Sequence, residues 1–383
     1  MIKAVNEYIA KKIAERKEKN AFRELSLSKD LIDFCSNDYL GFARDKNLAI
    51  LNHQCLMDFE DLYNGSTGAR TITGTNRLTI ELESMLSDFH RSPAALIYNS
   101  GYTANLGLFS SLPYRGDLVL YDELIHASIR DGIQMSRADA YSFKHNDLVD
   151  LENKLKRASG KVYVAVEAIY SMDGDQAPLI DLVEVCKKYD AALIVDEAHS
   201  NGVLGAKGEG LVADLCLEKD VFARVITFGK ALGCHGAAVL GSQDLKDFLV
   251  NYSRPFIYTT APAPHMLISM KNAYDKLSKS KHKILNLRDL INYFKLKIQD
   301  LLDETKIESS SPIQCLIIPG NDRVKAVCRQ VQALGLDVRP IVAPTVPAGK
   351  ERIRICLHSY NTKDEVDRLV DALKKSISIN ERG

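Results

Sequence analysis

Between residues 94 and 241 the chain alternates short, unbroken runs of aliphatic and β-branched residues with segments of helical period. The runs are Ala94–Tyr98, Leu118–Tyr121, Val162–Glu167, Ala191–Val195, Val225–Phe228 and Ala237–Leu240. A strand that is apolar at every position is buried on both faces. The pattern therefore predicts an α/β fold with a mostly parallel sheet between helices, one of them over Ile180–Tyr189. In such sheets ligands sit beyond the carboxyl ends of the strands.

Outside this block the period changes. Val5, Tyr8, Ile9 and Ile13 share one face of an N-terminal helix with Lys and Glu opposite, which predicts an arm that docks on something larger. Beyond Pro255, Pro262 and Pro264 a long helical stretch is predicted to about Glu304. A smaller α/β section follows, with strands near Ile313–Ile318 and Ile353–Leu357. Thr362 and Glu365 have capping-box spacing ahead of a last helix whose apolar face is Val366, Leu369, Val370, Leu373 and Ile377. The division expected is an arm over 1–45, a large domain over 46–265 and a small C-terminal domain over 266–383.

With 383 residues the chain is long enough for two packed domains. Fifty basic residues balance fifty acidic ones, so no overall field attracts nucleic acid or an anionic membrane. The eight cysteines are scattered without a C-x-x-C pair or metal-ligand spacing, which predicts reduced thiols and no metal. The N-terminus lacks a secretory apolar core, and no apolar run approaches the ~20 residues that span a bilayer. A cytoplasmic protein is expected.

Candidate chemistry follows the strands. Ala191–Val195 delivers Asp196 at a strand end, with His199 three positions later. Asp-Glu-Ala-His is also a helicase-type signature, but that reading requires a G-x-x-x-x-G-K-[ST] loop, and none of the Gly-Lys pairs at 160, 229 and 349 continues with Ser or Thr. The next strand is followed by Thr227-Phe-Gly-Lys230. A lysine held among Thr, Phe, Gly, Ala and Leu is partly desolvated, which favours the nucleophilic amine and a Schiff base. Joined to Asp-x-x-His, it matches the way proteins hold pyridoxal phosphate: the lysine binds the aldehyde and the aspartate keeps the ring nitrogen protonated. A carboxylate ~4 Å from a pyridinium gains roughly 4 kcal/mol at an effective dielectric near 20.

A phosphate site is then needed. Gly101 permits a sharp turn after Ala94–Tyr98, and Tyr102, Thr103 and Ala104 open a helix whose N–H groups favour an anion. Thr227 can add a hydroxyl, His126 follows another strand in position to stack on a ring, and Glu167 through Ser171 to Asp175 adds a hydroxyl and carboxylates. A nucleotide-binding or purely structural α/β protein is the alternative, suggested by Asp-Glu-Ala-His and the glycines at 202, 205, 208 and 210.

Taken together, these residues resemble one family, the α-oxoamine synthases, which are fold-type-I pyridoxal-phosphate enzymes with a large sheet domain and a smaller C-terminal α/β domain. The matching stretches run almost end to end: Ser36-Asn37-Asp-Tyr-Leu-Gly41, Gly65-Ser-Thr-Gly-Ala-Arg70, Gly74-Thr75, Ser100-Gly101-Tyr102, His126-Ala-Ser128, Ser171-Met-Asp-Gly-Asp175, Asp196-Glu-Ala-His199, Thr227-Phe-Gly-Lys230, and Pro344-Thr345-Val-Pro-Ala-Gly349 with Arg352-Ile-Arg354. The chain is most similar to the subfamily that joins L-alanine to a pimeloyl thioester, carried on coenzyme A or an acyl carrier protein, in biotin biosynthesis. Members that use glycine with acetyl-CoA, or serine with a long acyl thioester, are the alternatives. Many members of the first subfamily carry Ile-Arg-Pro-Pro-Thr-Val-Pro, where this chain has Ile341-Val342-Ala343-Pro344-Thr345 and its arginine earlier, at Arg339.

The resemblance implies roles. Lys230 bonds the aldehyde and moves the α-proton, Asp196 pairs with the ring nitrogen, and His199 and Ser171 flank the phenolic oxygen. The Gly101 and Tyr102 backbone with Thr227 holds the phosphate, and His126 stacks on the ring. Asn37 and Arg354 bind the amino-acid carboxylate, for which a guanidinium gives bidentate geometry, while Arg23 and Thr345 line the way in. It also implies a homodimer, in which Thr259 or Thr260 reaches the neighbour's phosphate.

Overall fold

All six apolar runs form strands, and a seventh, Asp139–Phe143, joins them in one sheet. The structure, a computed structural model, describes residues 2–25, 30–59, 64–299 and 306–381. Across the sheet the order is Ala94–Tyr98, Ala237–Gly241, Ala223–Thr227, Ala191–Asp196, Val162–Glu167, Leu118–Asp122 and Asp139–Phe143. Only Ala237–Gly241 runs against its neighbours among these pairings; the rest are parallel. Asp139–Phe143 escapes the apolar-run criterion because it is an edge strand, mostly exposed, with polar residues at two of its positions.

Alternation along the strands sorts their side chains onto two faces. Leu96, Tyr163, Ile194 and Val225 pack with Leu108 and Ile129 of the helices Gly101–Ser111 and Ala127–Met135. Leu120, Val164 and Val195 pack with Leu151 and Leu182 of Leu148–Leu155 and Leu179–Lys188. This sheet and its helices belong to a compact unit made of Asn37–Ser171 and Gln176–Asn286.

A buried ion pair within that unit accounts for the Glu of Asp-Glu-Ala-His. Glu197 is fully buried and pairs with Arg224 at 2.6 Å, while its other oxygen accepts from Ser200 Oγ (2.9 Å) and the Val212 N–H (3.0 Å). The rest of the Arg224 guanidinium donates to the carbonyls of His90 (2.8 Å) and Glu209 (2.9 Å). Gly210 is required here: it has φ +101, and a Cβ would lie 2.5 Å from Glu197 Oε1. The acid and the glycine that suggested a nucleotide site thus build an internal network. Arg224→Met is expected to lower stability by about 3–5 kcal/mol, because it strands a buried carboxylate, and a urea unfolding curve will read the loss.

The second unit comprises Met1–Ser36, Met172–Asp175 and Leu287–Gly383. Its four-stranded antiparallel sheet runs Arg339–Ile341, Arg352–Cys356, Ile313–Ile317, Lys306–Ile307, and Ile32–Asp33 pairs in parallel with Leu336–Asp337. The capping box forms, with the Glu365 N–H donating to Thr362 Oγ1 (3.2 Å) and the Thr362 N–H to Glu365 Oε2 (2.8 Å). The five apolar residues of the helix that follows are all buried. The long helical stretch resolves into Pro264–Leu277 and Lys281–Lys297, and its predicted end near Glu304 lies outside the described residues.

The arm helix forms over Ile2–Glu18, but Val5, Tyr8, Ile9 and Ile13 remain exposed, and no residue of that helix is buried. Among the described residues no cysteine is in a disulfide, and no helix is long and apolar enough to cross a membrane.

Candidate active site

A cavity of about 290 Å³ opens at the carboxyl ends of the parallel strands, within the large-sheet unit. That volume lies just below the roughly 300–1,000 Å³ typical of ligand pockets. Of the residues singled out in the sequence, Asn37, Gly101, Tyr102, His126, Asp196, Thr227 and Lys230 line it.

Asp196 closes the strand Ala191–Asp196 and is held at both oxygens. Oδ1 accepts the Ala198 N–H at 2.9 Å, and Oδ2 accepts Asn105 Nδ2 at 2.7 Å. Asn105 comes from the helix Gly101–Ser111, which Ser100 and Thr103 cap reciprocally. The first intrahelical bond runs from the Ala104 N–H to the Ser100 carbonyl, so the N–H groups of Gly101 and Tyr102 precede it, at the positive end of the helix dipole. A Cβ at 101 would lie 2.5 Å from Thr227 Cγ2, so any larger residue there would push the Thr227 side chain aside. Thr227 ends its own strand, and its carbonyl accepts Asn201 Nδ2 at 3.0 Å.

Lys230 follows in the next turn. Its Nζ lies 2.7 Å from His199 Nε2, and His199 Nδ1 lies 2.7 Å from the Tyr39 hydroxyl. His126 caps the helix Ala127–Met135; its Nδ1 accepts the Ser128 N–H (3.2 Å) and hydrogen-bonds Ser128 Oγ (2.8 Å). Burial holds this imidazole below its ordinary pKa, with Lys230 adding to the effect and Asp196 opposing it, so it is neutral at pH 7.

Glu167, in the sequence no more than part of a strand-end motif, also lines the cavity, buried and in register with Asp196 on the adjacent strand. Its Oε2 accepts the Ser171 N–H at 3.2 Å, and Oε1 has no hydrogen-bond partner among the described residues. Burial first, and the Asp196 charge second, push its carboxyl up to about 8. The folded chain therefore keeps a proton that the unfolded chain releases near 4.5, and stability falls as pH rises from there to about 8. In Glu167→Gln that part of the fall should vanish, which urea midpoints measured between pH 5 and 8 will show.

The remaining expected residues lie outside the cavity lining. Ser171 makes the backbone contact to Glu167, and Asn99 Nδ2 reaches Thr259 Oγ1 (3.3 Å) and the Thr260 carbonyl (2.9 Å). In the other unit, Arg23 Nη2 donates to Thr345 Oγ1 at 3.2 Å. Arg354 is buried in the strand Arg352–Cys356 with Nη1 2.9 Å from Cys356 Sγ. Arg339, the arginine nearest the departure at Val342, is paired with Asp337 at 2.9 Å. Asn105, Ser128 and Tyr39 are supporting residues that sequence reasoning assigned no role. An asparagine in the second turn of an otherwise largely apolar helix was the signal for the first of them.

Comparison with known proteins identifies relatives of the whole chain. Residues 29–373 match the family model described as aminotransferase class I and II. The chain is 38% identical to 8-amino-7-oxononanoate synthase of Emericella nidulans, covering 97% of this chain and 95% of that protein. A high-resolution structure of SPT with a PLP internal aldimine superposes with a TM-score of 0.85 at 28% identity, covering 92% of this chain and 89% of that one. The crystal structure of 8-amino-7-oxononanoate synthase from Francisella tularensis gives 0.79 at 26% identity, covering 92% of this chain and 100% of that one. The architecture is that of the fold-type-I pyridoxal-phosphate enzymes. The chain belongs to the class I and II aminotransferase family and, within it, to the α-oxoamine synthases.

Proposed function

We propose that the chain binds pyridoxal 5′-phosphate in the 290 Å³ cavity and is an acyltransferase. The reaction is the decarboxylative condensation of L-alanine with a pimeloyl thioester, giving 8-amino-7-oxononanoate, CO2 and a free thiol. The observation that carries this reading is that an amine, Lys230, and a fixed carboxylate, Asp196, line one cavity with a helix N-terminus. The residues fit the group: the glycine cradle at 101 lets Thr227 approach the helix start, which suits a phosphate, and Asp196 suits a protonated ring nitrogen.

When bound, the cofactor supplies an electron sink that stabilises negative charge at the substrate's α-carbon. The chain's own residues do the rest. Asp196, immobilised by Asn105 and Ala198, holds a proton at the ring nitrogen. Gly101 and Tyr102 N–H groups with Thr227 hold the phosphate, while neutral His126 offers a flat face to the ring. His199 and Ser171 attend the phenolic oxygen. Lys230 Nζ takes the α-proton and returns one after CO2 leaves, a role typically worth ~10²–10⁴ in rate. Asn37, in the cavity lining, takes the amino-acid carboxylate. The enzyme works as a homodimer, with Thr259 or Thr260 serving the neighbour's phosphate, and exposed arm residues such as Val5 and Tyr8 suit burial against a second copy.

The test is a matrix of L-alanine, glycine and L-serine against pimeloyl-, acetyl- and palmitoyl-CoA and a pimeloyl carrier protein, read by CO2 release and product mass. Product from alanine with a pimeloyl thioester is expected. Preference for glycine with acetyl-CoA, or serine with palmitoyl-CoA, would contradict the assignment, and the carrier arm identifies the thioester.

A further inference from the structure

Tyr39 is fully buried and lies outside the cavity lining, yet it touches the catalytic lysine through one intermediary. Its hydroxyl is 2.7 Å from His199 Nδ1 and 3.1 Å from Asn37 Oδ1, and His199 Nε2 is 2.7 Å from Lys230 Nζ. A phenol has one proton to give. Asn37 Oδ1 is a carbonyl oxygen, so it accepts that proton, and the hydroxyl oxygen turns a lone pair to His199. Nδ1 then bears the ring hydrogen, and in the neutral imidazole Nε2 is left as an acceptor, to which Lys230 donates. The reverse polarity would leave Asn37 Oδ1 facing a phenol lone pair and aim an Nε2–H at Nζ, where it would occupy the amine's lone pair.

We propose that Tyr39, anchored on Asn37, is a positioning residue that holds His199 in the Nδ1–H tautomer, so that the His199 contact does not draw on the lone pair of Lys230. The proposal rests on the reading of Lys230 as the aldehyde-binding amine. That condensation uses the Nζ lone pair to form the C–N bond, and the two amine hydrogens leave with the aldehyde oxygen as water. Tyr39 therefore bears on how readily the chain captures its cofactor without touching it.

The experiment uses full-length, cofactor-free protein labelled with ¹⁵N-histidine, with His199→Gln to assign the His199 signals. Wild type is expected to show a protonated Nδ1 and an unprotonated Nε2. In Tyr39→Phe, hydrogen should shift to Nε2, and the rate of pyridoxal-phosphate capture, followed by absorbance, should fall about tenfold, the equivalent of one hydrogen bond. An Nε2–H tautomer in wild type overturns the proposal even if the variant fails to fold. An unchanged tautomer and capture rate in a folded Tyr39→Phe overturns it as well. Wild type that shows the expected tautomer but never reacts with the aldehyde counts instead against the proposed function.

Discussion

Lys230→Ala is expected to lower turnover by ~10²–10⁴-fold, with the thiol released from the acyl thioester as the readout. The lysine is asked to do two things that no neighbour can take over. On the proposed reading it offers a primary amine to an aldehyde, and it moves a proton at the substrate's α-carbon. His199 already holds Nζ at 2.7 Å, and His126 is occupied at Nδ1 by Ser128, so neither ring is placed to replace the amine. Lys230→Arg sharpens the point, because it keeps a cation at the position while removing the nucleophile, and it should be as inactive as the alanine variant. Retention of the wild-type urea midpoint in both variants will separate lost chemistry from lost fold.

Asp196→Asn should lower kcat/KM by ~10³-fold. The carboxylate's attraction for a ring cation is about 4 kcal/mol at an effective dielectric near 20, and each 1.36 kcal/mol is tenfold in rate. The substitution is nearly isosteric and the site can absorb it. In wild type, Asp196 Oδ2 accepts Asn105 Nδ2, while Asn105 Oδ1 has no partner among the described residues. Turning the Asn105 amide over would let that oxygen accept from the amide nitrogen that the substitution introduces, at the cost of the 3.1 Å bond that Asn105 Nδ2 gives Ser128 Oγ. The folded state should survive the loss of that one hydrogen bond, about 1 kcal/mol, and the larger part of the effect falls on the charge. The spectrum of bound cofactor should shift with it, as the ring nitrogen loses the group that keeps it protonated.

What the sequence revealed, and what it hid, divides along physical lines. Strands buried on both faces are continuous apolar runs, so Val162–Glu167 and Ala191–Asp196 were legible together with the acids they deliver. Asp139–Phe143 was not, because an edge strand bears no such requirement. Ile32–Asp33 and Lys306–Ile307 are two residues each, too short to carry a period. The groups proposed to react, Lys230 and Asp196, stood out because their chemistry is uncommon at a strand end, and they line one cavity. Their supports were not, since those contacts exist only after folding: Asn105 meets Asp196 across 91 positions, and Tyr39 meets His199 across 160. The exposure of the arm's apolar face was likewise hidden, because amphipathic spacing predicts a helix and a face but not what covers it.

The most direct test of the central claim is to incubate the protein with pyridoxal phosphate, reduce it with borohydride, and map the modified peptide by mass spectrometry. A single stoichiometric pyridoxyl group on Lys230, present in wild type and absent from Lys230→Ala, is the predicted result. Label spread over surface lysines, or a Lys230 that stays unmodified at saturating cofactor, would contradict it.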